Sequence, residues 1–229
     1  MTKRIILNVP HASIEGVWNR ENGWQINIPL LQRKVNKWTD WFTDFLFSSA
    51  DPNVIMKRCP LSRFVVDVER LVDDPLEEKG QGIIYTEFEG IGRAISEKRE
   101  KELIAYYHLY QKDLGALITD DHDVLIDCHS FPSYMAPHVD ICIGFNEDWS
   151  KPSAHFLKDV QDILGKYHIK SEFNHPFSNS ITPESRYEYS SFMLEINKRC
   201  YMDERLMTLN YTNSLQAAIA ELYTYILSR

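Results

Sequence analysis

The chain has 229 residues and 26.9 kDa, with 44% hydrophobic and 25% charged residues, a globular composition that excludes disorder. Its formal net charge of −8 excludes nonspecific nucleic-acid binding, which needs surplus cations to displace counterions from phosphates. It leaves room for a small anionic substrate held by a few arginines, and the lack of any run of about 18 apolar residues excludes a membrane-spanning helix.

The first apolar run, Ile5 to Val9, ends at Pro10 and is expected to be a buried strand. It is too short for the core of a signal peptide and runs into Pro10-His11 instead of a cleavage site, so a cytoplasmic protein is expected. Residues 11–29, with Gly16, Asn19, Asn22 and Gly23, are expected to form a surface excursion. Residues 30–48 carry Leu31, Val35, Trp38, Phe42 and Phe45 near helical spacing, which predicts a helix. Residues 54–57 and 64–68 look β-like, Asp73-Asp-Pro75 signals a turn, and a third β-like run covers 83–85. A charged helix over 96–118 follows, opened by Ser96. Short strands are expected over 124–126, 140–144, 168–173 and 192–196, with helices over 154–167 and 212–227. Strands alternating with helices predict one α/β domain spanning 1–229, a three-layer sandwich around a mostly parallel, mixed sheet. Cys59, Cys128, Cys142 and Cys200 contain no Cys-x-x-Cys pair, which argues against a zinc ribbon, and Cys128 and Cys142 sit in apolar runs as inert core residues.

Ligands bind outside the carboxyl ends of strands in such sheets. His11 and His129 each follow a predicted strand there, each with a serine within two residues (Ser13, Ser130), and imidazole is the commonest metal ligand. Asp127 is near enough in sequence to orient His129. A catalytic zinc takes a third protein ligand and keeps a position for water. Asp40 and Asp44, stacked four apart on the predicted helix among Trp41, Phe45 and Phe47, are the candidates, with Glu15 a weaker one. Arg63 and Asp67 flank Phe64-Val-Val66, and Arg70 follows. One arginine could clamp an acidic substrate while the other pairs with Asp67, or the group could be a plain salt bridge. Glu195 lies inside the apolar run Met193-Leu-Glu-Ile196, where desolvation would raise its pKa toward that of a general base. An ion pair with Lys198 or Arg199 is the plainer alternative.

The chain resembles the N-formylglutamate amidohydrolase family in an ordered set of blocks. These are Asn8-Val-Pro-His-Ala-Ser13, Thr39-Asp-Trp-Phe-Thr-Asp44, Ser62-Arg-Phe-Val-Val-Asp67 with Arg70, and Gly80-Gln-Gly-Ile-Ile-Tyr85. The set continues through Asp127-Cys-His-Ser130, Asp140-Ile-Cys-Ile-Gly144, Asn174-His-Pro-Phe177, and Leu194-Glu-Ile-Asn197 with Tyr201-Met-Asp203. The resemblance implies a phosphorylase/hydrolase-like fold as in the zinc carboxypeptidases, and about one zinc per chain held by His11, His129 and a carboxylate of the Asp40/Asp44 segment. It also implies Glu195 as general base, Arg63 as the first contact to the substrate carboxylate or oxyanion, and Arg70 and Asn197 behind it. The implied reaction is hydrolysis of an N-formyl or short N-acyl amino acid, N-formyl-L-glutamate first, a step of histidine degradation. The alternatives are another N-acyl amino acid or small peptide as substrate, or a small-molecule-binding protein of the same fold. Asn179 stands where the family has glycine and is expected to take left-handed backbone, which asparagine tolerates.

Overall fold

The computed structural model describes residues 3–24, 28–71, 74–210 and 213–229. In chain order the main elements are β1 (Ile5–Val9), α1 (Ile28–Trp38), α2 (Thr43–Leu46), β2 (Val54–Arg58), β3 (Glu87–Phe88) and β4 (Ile91–Gly92). There follow α3 (Glu97–Ala116), β5 (Val124–Phe131), β6 (Ile141–Gly144), α4 (Ala154–Lys166), β7 (Ser171–Phe173), β8 (Ser190–Asn197), β9 (Met202–Asp203), β10 (Thr208–Leu209) and α5 (Asn213–Leu227). They fall into two compact units, one of Met1–Val9, Phe42–Lys57 and Leu114–Arg229, the other of Pro10–Trp41 and Arg58–Asp113.

The first unit is an α/β layer built on a six-stranded sheet of order β2-β1-β5-β8-β6-β7. β1, β5 and β8 run parallel, β6 is antiparallel to β8, and β7 is parallel to β6. The expected mixed sheet is therefore present, with its parallel part central. β1 and β5 are buried along their whole length, which explains why residues 5–7 and 124–126 are unbroken apolar runs: a central parallel strand is covered on both faces. α4 packs on α5 and β7, and α5 reaches β1. Tyr223 of α5 ties α2 to the same layer by donating its hydroxyl to the carbonyl of Phe47 at 2.8 Å. No helix of the described residues is long and apolar enough to cross a membrane.

The expected helix over 30–48 is broken, α1 belonging to the second unit and α2 to the first. α1 stops at Trp38, and Phe42 takes a left-handed φ of 64° before α2 begins. Asp40 and Asp44 therefore do not share a helical face: Asp40 is a buried residue of the connection and Asp44 sits in the first turn of α2. Apolar spacing carries across the break because the connecting residues are themselves partly buried, so periodicity could not register it. The β-like runs 64–68 and 83–85 are not strands. Val65 and Val66 both donate to the carbonyl of Ser62, which turns the chain, and burial alone accounts for their apolar character. Asp73 and Thr212, where a turn and the last helix were expected to begin, lie outside the described residues. Asp74 caps the 3-10 turn Pro75–Lys79 by accepting from the amide of Leu76.

The four cysteines are free, and Cys59, Cys128 and Cys142 are buried. Burial raises all four thiols, Cys142 to about 11 and Cys200 to about 12, with Asp140 adding to the effect at Cys200. Since the thiolate is the reactive form, the native protein at pH 7.5 is expected to react slowly with a thiol reagent. The protein unfolded in guanidinium should label at all four cysteines. Rapid labelling of the native protein would contradict this.

Candidate metal centre

Pro10 has no amide to continue a ladder, so β1 ends there, and two residues beyond Val9 the chain presents His11, 1% exposed. The amide of Asp40 donates to the carbonyl of His11 at 3.0 Å, which brings the connection after α1 onto the histidine. His11 Nε2 lies 2.8 Å from Asp67 Oδ1, while its Nδ1 lies 3.6 Å from Glu69 Oε2 and 3.7 Å from Asp40 Oδ2. The two ring nitrogens thus face different carboxylates.

Asp67 is fully buried and saturated with donors. Oδ2 accepts from Tyr85 OH at 2.5 Å and Arg63 Nη2 at 3.0 Å, and Oδ1 accepts from the backbone amide of Glu69 at 3.2 Å. Arg63 Nε also donates to Tyr85 OH at 3.1 Å. Burial by itself would raise the Asp67 carboxyl, but the His11 imidazole beside it and the guanidinium charges of Arg63 and Arg70 outweigh it and hold the group well below the usual carboxylate range. Burial likewise pushes the Tyr85 phenol up to about 12, so it remains a donor.

The other histidine stands on β5. Asp127 and His129 are two apart and share one face of the strand, with His129 Nε2 3.2 Å from Asp127 Oδ1. Asp127 is held from two further directions, by Asn8 Nδ2 at 2.7 Å and by the amide of Ile181 at 3.2 Å. The first bond follows from register, because Asn8 of β1 is the partner of Asp127. Glu195 is the partner of His129 across β5 and β8, so the two side chains stand side by side on one sheet face. Glu195 is 8% exposed.

One ligand atom from each of His11, Glu69 and His129 lies within 4.8 Å of the others, a group capable of holding a metal ion. Two imidazoles and one carboxylate are the donor set of an open zinc site, which leaves a coordination position for water or substrate. Glu69 was not singled out in the sequence. Its only signal is a position two residues beyond Asp67 in a short polar run, and neither its spacing from His11 nor its surroundings mark it. Of the carboxylates weighed there, Asp40 lies against His11. Asp44 accepts from the amide of Phe45, and Glu15 is exposed; neither belongs to this group.

Asn197 commits both amide hydrogens to the carbonyls of Ala136 and Val139, at 3.1 and 2.9 Å, and accepts from the amide of Arg199. It fastens the loop after β5 and has no donor left for a substrate. Asn179 takes φ of 76°, as expected for an asparagine in a glycine's place. Its carbonyl would stand 2.7 Å from a Cβ at Gly144, so β6 needs glycine there.

The model of the N-formylglutamate amidohydrolase family matches residues 3–202. The chain belongs to this family. Two solved structures share its fold. The N-formylglutamate amidohydrolase from Ralstonia eutropha JMP134 superposes with a TM-score of 0.75 at 14% identity, covering 99% of this chain and 94% of that one. A gene product from Agrobacterium tumefaciens gives a TM-score of 0.64 at 14% identity, covering 99% of this chain and 89% of that one. At that identity the likeness is one of fold. Among curated proteins none matches the sequence.

Proposed function

We propose that the chain, as a single amidohydrolase domain of the zinc-carboxypeptidase type, hydrolyses the amide of an N-formyl or short N-acyl amino acid, with N-formyl-L-glutamate yielding formate and L-glutamate. The observation that carries this is the His11, Glu69 and His129 group in a member of an amidohydrolase family. A zinc ion bound there would act as a Lewis acid, activating water and polarising the acyl carbonyl.

The chain's own residues supply the rest. Glu195, beside His129 on the sheet, takes the proton of the attacking water and returns it to the departing nitrogen. The apolar strand around it excludes competing water. A substrate carboxylate needs a guanidinium with donors to spare. The resemblance gives this role to Arg63, but the Nε–Nη2 edge of its guanidinium is already engaged by Tyr85 and Asp67. Arg70 makes only long ion pairs among the described residues, its Nε 3.6 Å from Asp67 and its Nη1 3.9 Å from Asp74. Arg70 is therefore assigned the substrate carboxylate, and Asn197 the shaping of the adjoining loop.

The test is metal analysis of protein purified without chelator, followed by turnover of N-formyl-L-glutamate and a panel of N-acyl amino acids. About one zinc per chain, as an open three-ligand site holds, with formate release is the expected result. A protein that takes up no zinc when zinc is supplied, and releases no acid from any member of the panel, would favour a binding protein of the same fold.

A further inference from the structure

We propose that the Asp67 carboxylate positions two of the metal ligands at once, and that Arg63 and Tyr85 act on the site as anchors of Asp67 and not as substrate contacts. The proposal rests on the His11, Glu69 and His129 metal site described above.

The geometry of one carboxylate carries it. Oδ1 faces His11 Nε2 at 2.8 Å and also accepts the backbone amide of Glu69 at 3.2 Å. The same oxygen therefore sets the rotation of one ligand's ring and the main-chain position of another. Oδ2 is taken by Tyr85 OH and Arg63 Nη2, and Arg63 Nε closes a ring of three side chains on the tyrosine oxygen. Arginine and a backbone amide can only donate, and the phenol hydrogen points at Asp67, so the carboxylate meets donors on every side. That leaves one arrangement for His11: Nε2 carries the hydrogen and donates it to Asp67. The lone pair is then on Nδ1, the nitrogen 3.6 Å from Glu69 Oε2, where a metal shared by the two would sit. Outer partners of this kind orient a ligating imidazole and carry about 10–100-fold in metal affinity.

This changes what Arg63 is for. The Nε–Nη2 edge of its guanidinium is spent on Tyr85 and Asp67, which fixes the arginine as part of the Asp67 anchor. Losing Arg63 should loosen Asp67, and through it His11 and Glu69, so the defect should appear first in metal binding.

The two roles separate in one experiment on Tyr85→Phe and Arg63→Met. Zinc affinity is measured by competition with a chromophoric chelator, using zinc alone as the probe. KM for N-formyl-L-glutamate is measured at saturating zinc. The expected result is a fall in zinc affinity of about 10–100-fold in both variants, with KM within about twofold of wild type once zinc saturates. Unchanged zinc affinity in Tyr85→Phe, which removes one hydroxyl and keeps the packing, would overturn the proposal. So would an Arg63→Met variant with wild-type zinc affinity and a KM raised about tenfold or more, which is the signature of lost substrate binding. Wild-type protein that binds no zinc would instead refute the metal site itself, a separate outcome.

Discussion

Glu195→Gln is expected to lower kcat for N-formyl-L-glutamate by about 10²–10⁴-fold while zinc content stays as in wild type. Glutamine keeps the size and one acceptor of glutamate but cannot take a proton from water. The neighbouring ligand His129 also lies against Asp127, its Nε2 3.2 Å from Oδ1, a contact that the substitution leaves in place. KM should change little, because Glu195 acts on the reacting atoms and not on the substrate carboxylate. The measurement is steady-state kinetics beside metal analysis of the same preparation. A variant with full kcat would remove Glu195 from the chemistry. Loss of zinc along with activity would make it a ligand or a support.

The second large effect concerns the metal. His129→Ala and Glu69→Gln are each expected to lose zinc more completely than the 10–100-fold weakening that outer partners produce, because each removes one ligand of a three-ligand set. Asp44→Asn should bind zinc as wild type does, since its carboxylate is engaged with the first turn of its own helix. Asp40→Asn should retain zinc as well, because Glu69, not Asp40, completes the group of ligand atoms within 4.8 Å. Metal analysis of the four variants after dialysis against a weak chelator decides this. Zinc lost from Asp40→Asn and kept by Glu69→Gln would exchange the two carboxylates' roles. Native spectra for all four would show that folding is not what changed.

The two predictions divide the site as the fold does. Asp127, His129 and Glu195 stand on paired strands, where a rigid sheet sets spacing by register and leaves little for loops to decide. His11, Asp67 and Glu69 lie after or between regular elements, and there the spacing is set by hydrogen bonds to one buried carboxylate. A sheet tolerates loss of a side chain better than such a network does, because its geometry comes from the backbone. Substitutions around Asp67 should accordingly disturb metal binding over a wider set of residues than substitutions around Asp127.

The sequence by itself determined the strands that carry the chemistry. The apolar runs before His11 and over residues 124–126, and the lone carboxylate at Glu195 within another, follow from local composition and period, which a strand buried on both faces imposes directly; that β5 continues through His129 to Phe131 came from the structure. The family was legible for the same reason, since its blocks are short contiguous stretches. Only the tertiary structure decided the rest. It ended α1 at Trp38, separated Asp40 from Asp44, turned residues 64–66 back on themselves, and ran β6 against β8. It also drew Glu69 into the ligand group and closed Arg63 on Tyr85 and Asp67. The contacts that close the site join residues far apart in the chain, such as His11 with Asp67, 56 positions on. No local periodicity encodes such a pairing, because it is chosen by the burial and charge balance of the folded chain as a whole.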